Sequence, residues 1–143
     1  MTNKTMSSKI FVNLPVRDLE KSKLFYQALG FSINPQFTDE NAACVVISED
    51  IYAMILTHDF LKRFTKKEIV DATKATEAIM ALSTDSREDV DEFAKKAVAA
   101  GGKISRDPED HGWMYSQAIE DLDGHIWERV WMDEKSVPAH PQA

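Results

Sequence analysis

The sequence predicts an α+β fold assembled from two βαβββ modules, and three observations carry that prediction. The order strand, helix, three strands occurs twice along the chain. Each helix opens at a capping residue, Asp18 or Ser86, and ends at a glycine, Gly30 or Gly101. Apolar residues recur every second position in several of the segments read as strands and at 3.6-residue spacing along the second helix.

The first module is expected over residues 10–57. Its opening strand, 10–16, alternates Ile10, Val12, Leu14 and Val16 with Phe11, Asn13 and Pro15. Asp18 follows, and its carboxylate can accept an amide hydrogen of the first helical turn that has no partner inside the helix. The helix runs to about Leu29, with Leu19, Phe25, Ala28 and Leu29 available to bury, and Gly30 supplies the left-handed residue that ends it. Strands are expected near 31–37, 42–48 and 51–57, the last two joined by a turn at Ser48, Glu49 and Asp50.

The second module is expected over 76–132. A strand at 78–83 leads to the cap at Ser86, and Val90, Phe93, Ala94, Ala97 and Val98 then form one helical face. Gly101 and Gly102 stop this helix, and strands follow near 103–106, 114–120 and 125–131. Residues 58–75 read as a short amphipathic helix plus linker, with Phe60, Leu61, Phe64, Ile69 and Val70 among basic residues. Two roles stay open for it, a lid or dimer arm and a packed connector. Residues 1–9 read as a flexible N-terminus, and 133–143, with Pro138 and Pro141, as a disordered tail. One such module is too small to close its own core, so the two sheets should pair. Each helix would cover the outer face of its sheet and leave the inner faces to form an open trough.

Composition narrows the function classes. The 143 residues suit one domain or two small modules, and a 43% hydrophobic, 29% charged makeup is ordinary for a globular protein. A net charge of −7 argues against nucleic acid, whose binders need a basic stripe. The one basic cluster, Lys62, Arg63, Lys66 and Lys67, has acidic neighbours at Asp59, Glu68 and Asp71. The single cysteine, Cys44, lies in an apolar run and reads as a small hydrophobe in a strand. Neither an apolar signal region nor a run of roughly 20 apolar residues is present, so the expectation is a cytoplasmic protein with no membrane partner.

Two stretches add a resemblance. Val16-Arg-Asp18-Leu19-Glu-Lys-Ser22-Lys-Leu-Phe25-Tyr26-Gln-Ala-Leu29-Gly30-Phe31 resembles the first-module signature of the vicinal oxygen chelate superfamily, which contains glyoxalases, bleomycin-resistance proteins and extradiol dioxygenases. Asp121-Leu-Asp123-Gly124-His125-Ile-Trp127-Glu128 resembles its closing motif, an acidic turn entering the last strand. Metal-dependent members hold a divalent ion in the trough with His and Glu from both modules. Carried over one at a time, those positions fall on Phe11, Ile55, Ile79 and Glu128. Three of the four have no donor atom, and one carboxylate cannot hold Zn²⁺ or Ni²⁺, which wants three or more protein ligands. The resemblance therefore implies a pocket without a bound metal or other cofactor. His58 sits just past a strand end beside Asp59, His111 stands among loop acids, His125 is opposite in strand parity to Glu128, and His140 is in the tail; a divalent metal on a non-standard set of ligands stays open as the alternative.

Alternation in the last strand places Ile126, Glu128 and Val130 on one face and Trp127, Arg129 and Trp131 on the other. The resemblance implies that the Glu128 face lines the trough with Phe11, Asn13, Ile55, Thr57, Ile79 and Ala81 as ligand-binding residues. A carboxyl in such an apolar cavity would favour its neutral form and could serve as a general acid or base, the catalytic role assigned to Glu128, with Asn13 orienting the ligand. The competing reading is that Glu128 pairs with an arginine or backbone amides and organises the fold. Trp113, Met114 and Tyr115 read either as the pocket mouth or as core, and Asp121, Asp123 and Gly124 as turn-shaping residues. Three functions stay open: a protein that sequesters a small, partly apolar molecule without metal, a glyoxalase-like lyase or isomerase with an altered metal site, and a dimeric domain with no small-molecule task. Ligand-binding members of the fold often pair two chains, so the resemblance also implies a homodimer.

Overall fold

A computed structural model describes residues 7–139. The chain divides into two compact units, Met1–Ile69 and Val70–Ala143. In the first, β1 (Ile10–Val16) leads through α1 (Leu19–Ala28) to β2 (Ser32–Asn34), β3 (Ala42–Val46), β4 (Ile51–Thr57) and the four-residue α2 (His58–Leu61). In the second, β5 (Ile79–Thr84) and α3 (Arg87–Ala99) precede β6 (Lys103–Asp110), β7 (Met114–Glu120) and β8 (Ile126–Met132).

The two sheets share one plan. Their strand orders are β1-β4-β3-β2 and β5-β8-β7-β6. In each, the first and last strands of the module pair in parallel and every other pairing is antiparallel. Pro15 fits because β1 is an edge strand, where a missing amide hydrogen breaks no ladder.

The caps are those the sequence predicts. The Asp18 carboxylate accepts from the Lys21 amide at 3.1 Å and the Ser86 hydroxyl from the Asp89 amide at 3.1 Å. Gly30 and Gly101 take positive φ, 102° and 103°, just past the two helices.

Three expected boundaries shift, each for a local reason. The strand expected over 31–37 ends at Asn34, because Pro35 starts a 3-10 turn whose first amide is capped by the Asn34 side chain. β6 extends to Asp110 through two register irregularities, one of them around Pro108. The tail is not wholly irregular: Glu134–Ser136 form a 3-10 turn, because Asp133 accepts from the Lys135 amide at 3.2 Å and the Ser136 hydroxyl at 2.8 Å. His140 and Pro141 lie outside the described residues, as do residues 1–6 of the N-terminus.

In each unit the helix buries one face of its sheet. In the first, Leu14, Val16, Ala43, Val45, Ala53 and Ile55 are buried together with Leu19, Phe25 and Tyr26 of α1. In the second, Val90, Phe93, Ala94 and Ala97 of α3 are buried with Leu82, Ile119 and Trp127. Arg87, in the first turn of α3, ties the helix to the β6–β7 hairpin. Its guanidinium donates to Asp110 at 2.8 and 3.0 Å and to the Gly112 carbonyl at 2.9 Å, and it lies within about 5 Å of the Tyr115 and Trp131 rings. Trp113, Met114 and Tyr115 are half-buried, and Tyr115 donates to Asp91 of α3 at 2.6 Å. Cys44 is buried, and burial pushes its thiol up from the ordinary cysteine range, as suits a packed hydrophobe rather than a nucleophile.

Candidate functional site

Register fixes which side chains share a face, since partners across a ladder point the same way. In the second unit the face away from α3 carries three rows. Ile79, Ile126, Glu120 and Lys103 form the first; Ala81, Glu128, Ala118 and Arg106 the second; Ser83, Val130, Ser116 and Glu109 the third. Glu128, Ile79 and Ala81 therefore do lie together, as expected, with Ile79 55% exposed. Trp127, Arg129 and Trp131 point the other way, with Arg129 over the Phe93 ring of α3.

Glu128 is not a solitary carboxylate. Nη2 of Arg106 stands 3.0 Å from its Oε2, and the same nitrogen donates to the Ser116 hydroxyl at 3.1 Å. The other side of the guanidinium is occupied too, with Nη1 donating to the Asp107 carbonyl at 3.1 Å and 4.0 Å from Glu109. The premise of an unpaired carboxyl in an apolar cavity does not hold, because the Arg106 guanidinium stands against it. Oε1 of Glu128 has no partner among the described residues. Among the described residues no buried side-chain oxygen lacks a hydrogen-bond partner, so Oε1 opens to the surface.

In the first unit the ligand-binding residues expected from the resemblance separate. Phe11 and Asn13 share a face with Tyr52 and Met54, whereas Ile55 pairs with Leu14 and Thr57 with Val16 on the opposite face. Ile55 is 0% exposed. Thr57 has a different task, its hydroxyl capping α2 by accepting from the Phe60 amide at 3.3 Å. A shift of one residue along a strand reverses the face, and the run Ile51–Leu56 is apolar throughout, so no alternation marks the correct parity. The residues of β4 beside Asn13 and Pro15 are Met54 and Leu56. Phe11, 47% exposed, stacks on Tyr52 with ring centroids 4.7 Å apart and planes 10° from parallel. The Asn13 amide donates to the Phe11 carbonyl at 3.1 Å and leaves its own oxygen free.

Arg106, Ser116 and Tyr52 are the site residues that sequence reasoning missed. Tyr52 had a signal, since parallel pairing of β1 with β4 places it beside Phe11. Arg106 had none, because the bulges of β6 break the alternation by which its face would be counted.

Residues 9–48 match the bleomycin resistance protein-like N-terminal family model. A hypothetical protein, SA1046 from S. aureus, is 30% identical over 90% of this chain and 95% of its own, with a TM-score of 0.74. The chain has the fold of the glyoxalase/bleomycin resistance/dioxygenase, or vicinal oxygen chelate, proteins, and its N-terminal part carries the bleomycin resistance protein-like signature. A glyoxalase-related enzyme from Fulvimarina pelagi has the same fold, with a TM-score of 0.75 at 19% identity over 96% of both chains. So does a bleomycin-binding protein solved with bleomycin, with a TM-score of 0.60 at 23% identity over 88% of this chain and 99% of that one. No curated protein matches.

A divalent metal centre takes three or more protein ligands. Phe11 and Ile79 offer hydrocarbon, the β4 residues beside Asn13 and Pro15 are Met54 and Leu56, and Glu128 is engaged by Arg106. Among the described residues no group of three or more His, Cys, Asp and Glu side chains could hold a metal ion. His111 is 3.4 Å from Glu109, and the His125 amide donates to Asp121 in the closing turn. Asp121 also accepts from the Asp123 amide, the turn-shaping role expected of it. No helix of the described residues is long and apolar enough to cross a membrane.

Proposed function

We propose that this protein binds a small, partly apolar molecule on the helix-free faces of its sheets and does so without a catalytic metal. The observation that carries the reading is the second-unit face, where one charged and oriented carboxylate, Glu128, stands among Ile79, Ala81, Ile126, Ala118 and Val130. Apolar side chains beside placed polar groups are the usual makeup of a ligand site; here the apolar ones surround Glu128 on β5 and β8, and the polar ones lie mainly towards β6. On the first unit, taken by itself, the exposed Phe11 ring, backed by Tyr52, offers a separate surface on which a planar group can stack. The superfamily's bleomycin-binding member supports binding as the task.

Thermal-shift measurements on the full chain test this. The panel is metal-free bleomycin, planar aromatic drugs, glutathione adducts, and Zn²⁺, Ni²⁺ and Mn²⁺ alone. A native-state ligand at 100 times its Kd stabilises by about 2.7 kcal/mol, a rise of several degrees. Stabilisation by an organic compound in the presence of chelator is the expected result. Near-stoichiometric copurifying metal, or stabilisation by metals only, would overturn it in favour of a glyoxalase-like lyase or isomerase. The homodimer belongs to the same proposal, and sedimentation of the protein as a monomer at micromolar concentration would count against it.

A further inference from the structure

We infer that the ligand of the second-unit face presents a protonated amine or a comparable N–H donor group to Oε1 of Glu128, above an apolar body. The inference rests on the reading that this face binds a small molecule, and it adds the chemical class of that molecule. Three features of the face support it.

The first is the division of labour between the two carboxylate oxygens. Arg106 approaches Oε2 and is itself held by Ser116, so the carboxylate has a fixed orientation. Oε1 has no partner among the described residues and is open to the surface. An ionised carboxylate only accepts hydrogen bonds, so what Oε1 can take from a ligand is a donor.

The second is the local charge. Arg106 stands against two carboxylates, 3.0 Å from Glu128 and 4.0 Å from Glu109. The guanidinium is already engaged on both sides, by Glu128 and Ser116 and by the Asp107 carbonyl. An anionic ligand at Glu128 would meet that carboxylate with no open side of the guanidinium to receive it, whereas a cation adds to a carboxylate already set in place.

The third is space. The cross-strand neighbours of Glu128 on both sides are alanines, Ala81 and Ala118. Methyl groups there leave the carboxylate standing above its row. Along β8, Ile126 and Val130 flank it and, with Ile79, offer the apolar contact for the rest of the ligand.

The test uses three probes with one aromatic body and different heads: 2-naphthylmethylammonium, 2-naphthylmethanol and 2-naphthoate. Binding to the full-length protein is followed by amide chemical-shift titration in moderate salt. The ammonium should bind about tenfold more tightly than the alcohol, in line with the extra strength of a charge-assisted hydrogen bond, and naphthoate most weakly. Glu128→Gln should bring the ammonium-to-alcohol ratio close to one. Ala81→Leu should weaken all three probes by covering the carboxylate. Equal affinities for ammonium and alcohol, or a preference for naphthoate, would overturn the assigned class while leaving small-molecule binding intact. Failure of all three probes to shift any residue of β5 or β8 would overturn both.

Discussion

The Arg106–Glu128 pair invites a double-mutant cycle, because its magnitude follows from its geometry. At 3.0 Å and an effective dielectric of about 20, the bare attraction is roughly 5.5 kcal/mol. Desolvation and side-chain ordering cancel most of that. The side chains are 31% and 20% exposed, so the pair lies between surface pairs, worth about 0.2–1 kcal/mol, and buried ones, whose disruption costs about 3–5 kcal/mol. The expected coupling is about 1–2 kcal/mol. Arg106→Met, Glu128→Gln and the double variant would be compared by urea unfolding with matched m-values. Removing Arg106 also takes a donor from the buried Ser116 hydroxyl. That loss occurs in both Arg106 variants, so the cycle subtracts it. The double variant should be less destabilised than the sum of the singles. A coupling below about 0.3 kcal/mol, within the error of additivity, would mean that Arg106 does not hold Glu128, and the fixed carboxylate would lose its basis.

Two further outcomes concern stability. Gly124 has φ +93°, and a Cβ there would stand 2.7 Å from the Ala72 backbone. Gly124→Ala should therefore cost more than the about 1–2 kcal/mol of a left-handed residue, whereas Gly112→Ala, at φ +80° with nothing within 4 Å, should cost only that; equal midpoint shifts for the two in urea would refute the close approach. The hydrogen bonds from Arg87, and after them the Gly112 amide, hold the Asp110 carboxyl down at about 2 from an ordinary 3.8. A depressed folded value means the stabilisation is complete above the ordinary value and disappears as pH falls towards about 2. The stability gap between the natural protein and Asp110→Asn should thus narrow on acidification across that window, and a gap constant with pH would refute it.

The fold was legible because its signals are local. Asp18 and Ser86 announce helix starts by side-chain chemistry, and β8 alternates so clearly that Glu128 could be assigned a face from sequence. The first-unit site was not legible, for an equally physical reason. β4 reads Ile-Tyr-Ala-Met-Ile-Leu, and a strand apolar on both faces contains no parity information. Ile55, the position carried over from the resemblance, packs into the core, while Met54 and Leu56 are the β4 residues on the face of Phe11 and Asn13. Arg106 was hidden differently. Its partner Glu128 is 22 residues away, and the bulged β6 between Ile104 and Glu109 carries no countable alternation. The linker gave half its answer: the apolar residues mark α2, but nothing in them announces that the Ala72–Thr73 backbone lies close against Gly124 at the closing turn.

The arginine also bears on why the face can keep a carboxylate at all. An ionised side chain only 20% exposed needs a compensating charge. The chain supplies it, through a guanidinium that Ser116 and the Asp107 carbonyl hold in place. A divalent cation arriving at the open Oε1 would meet no group of three or more His, Cys, Asp and Glu side chains among the described residues, and would take most of its coordination from water. A protonated amine needs only the one acceptor that Oε1 offers while Arg106 stays where it is. On the proposed reading, that single open oxygen suits an organic N–H donor better than a metal ion.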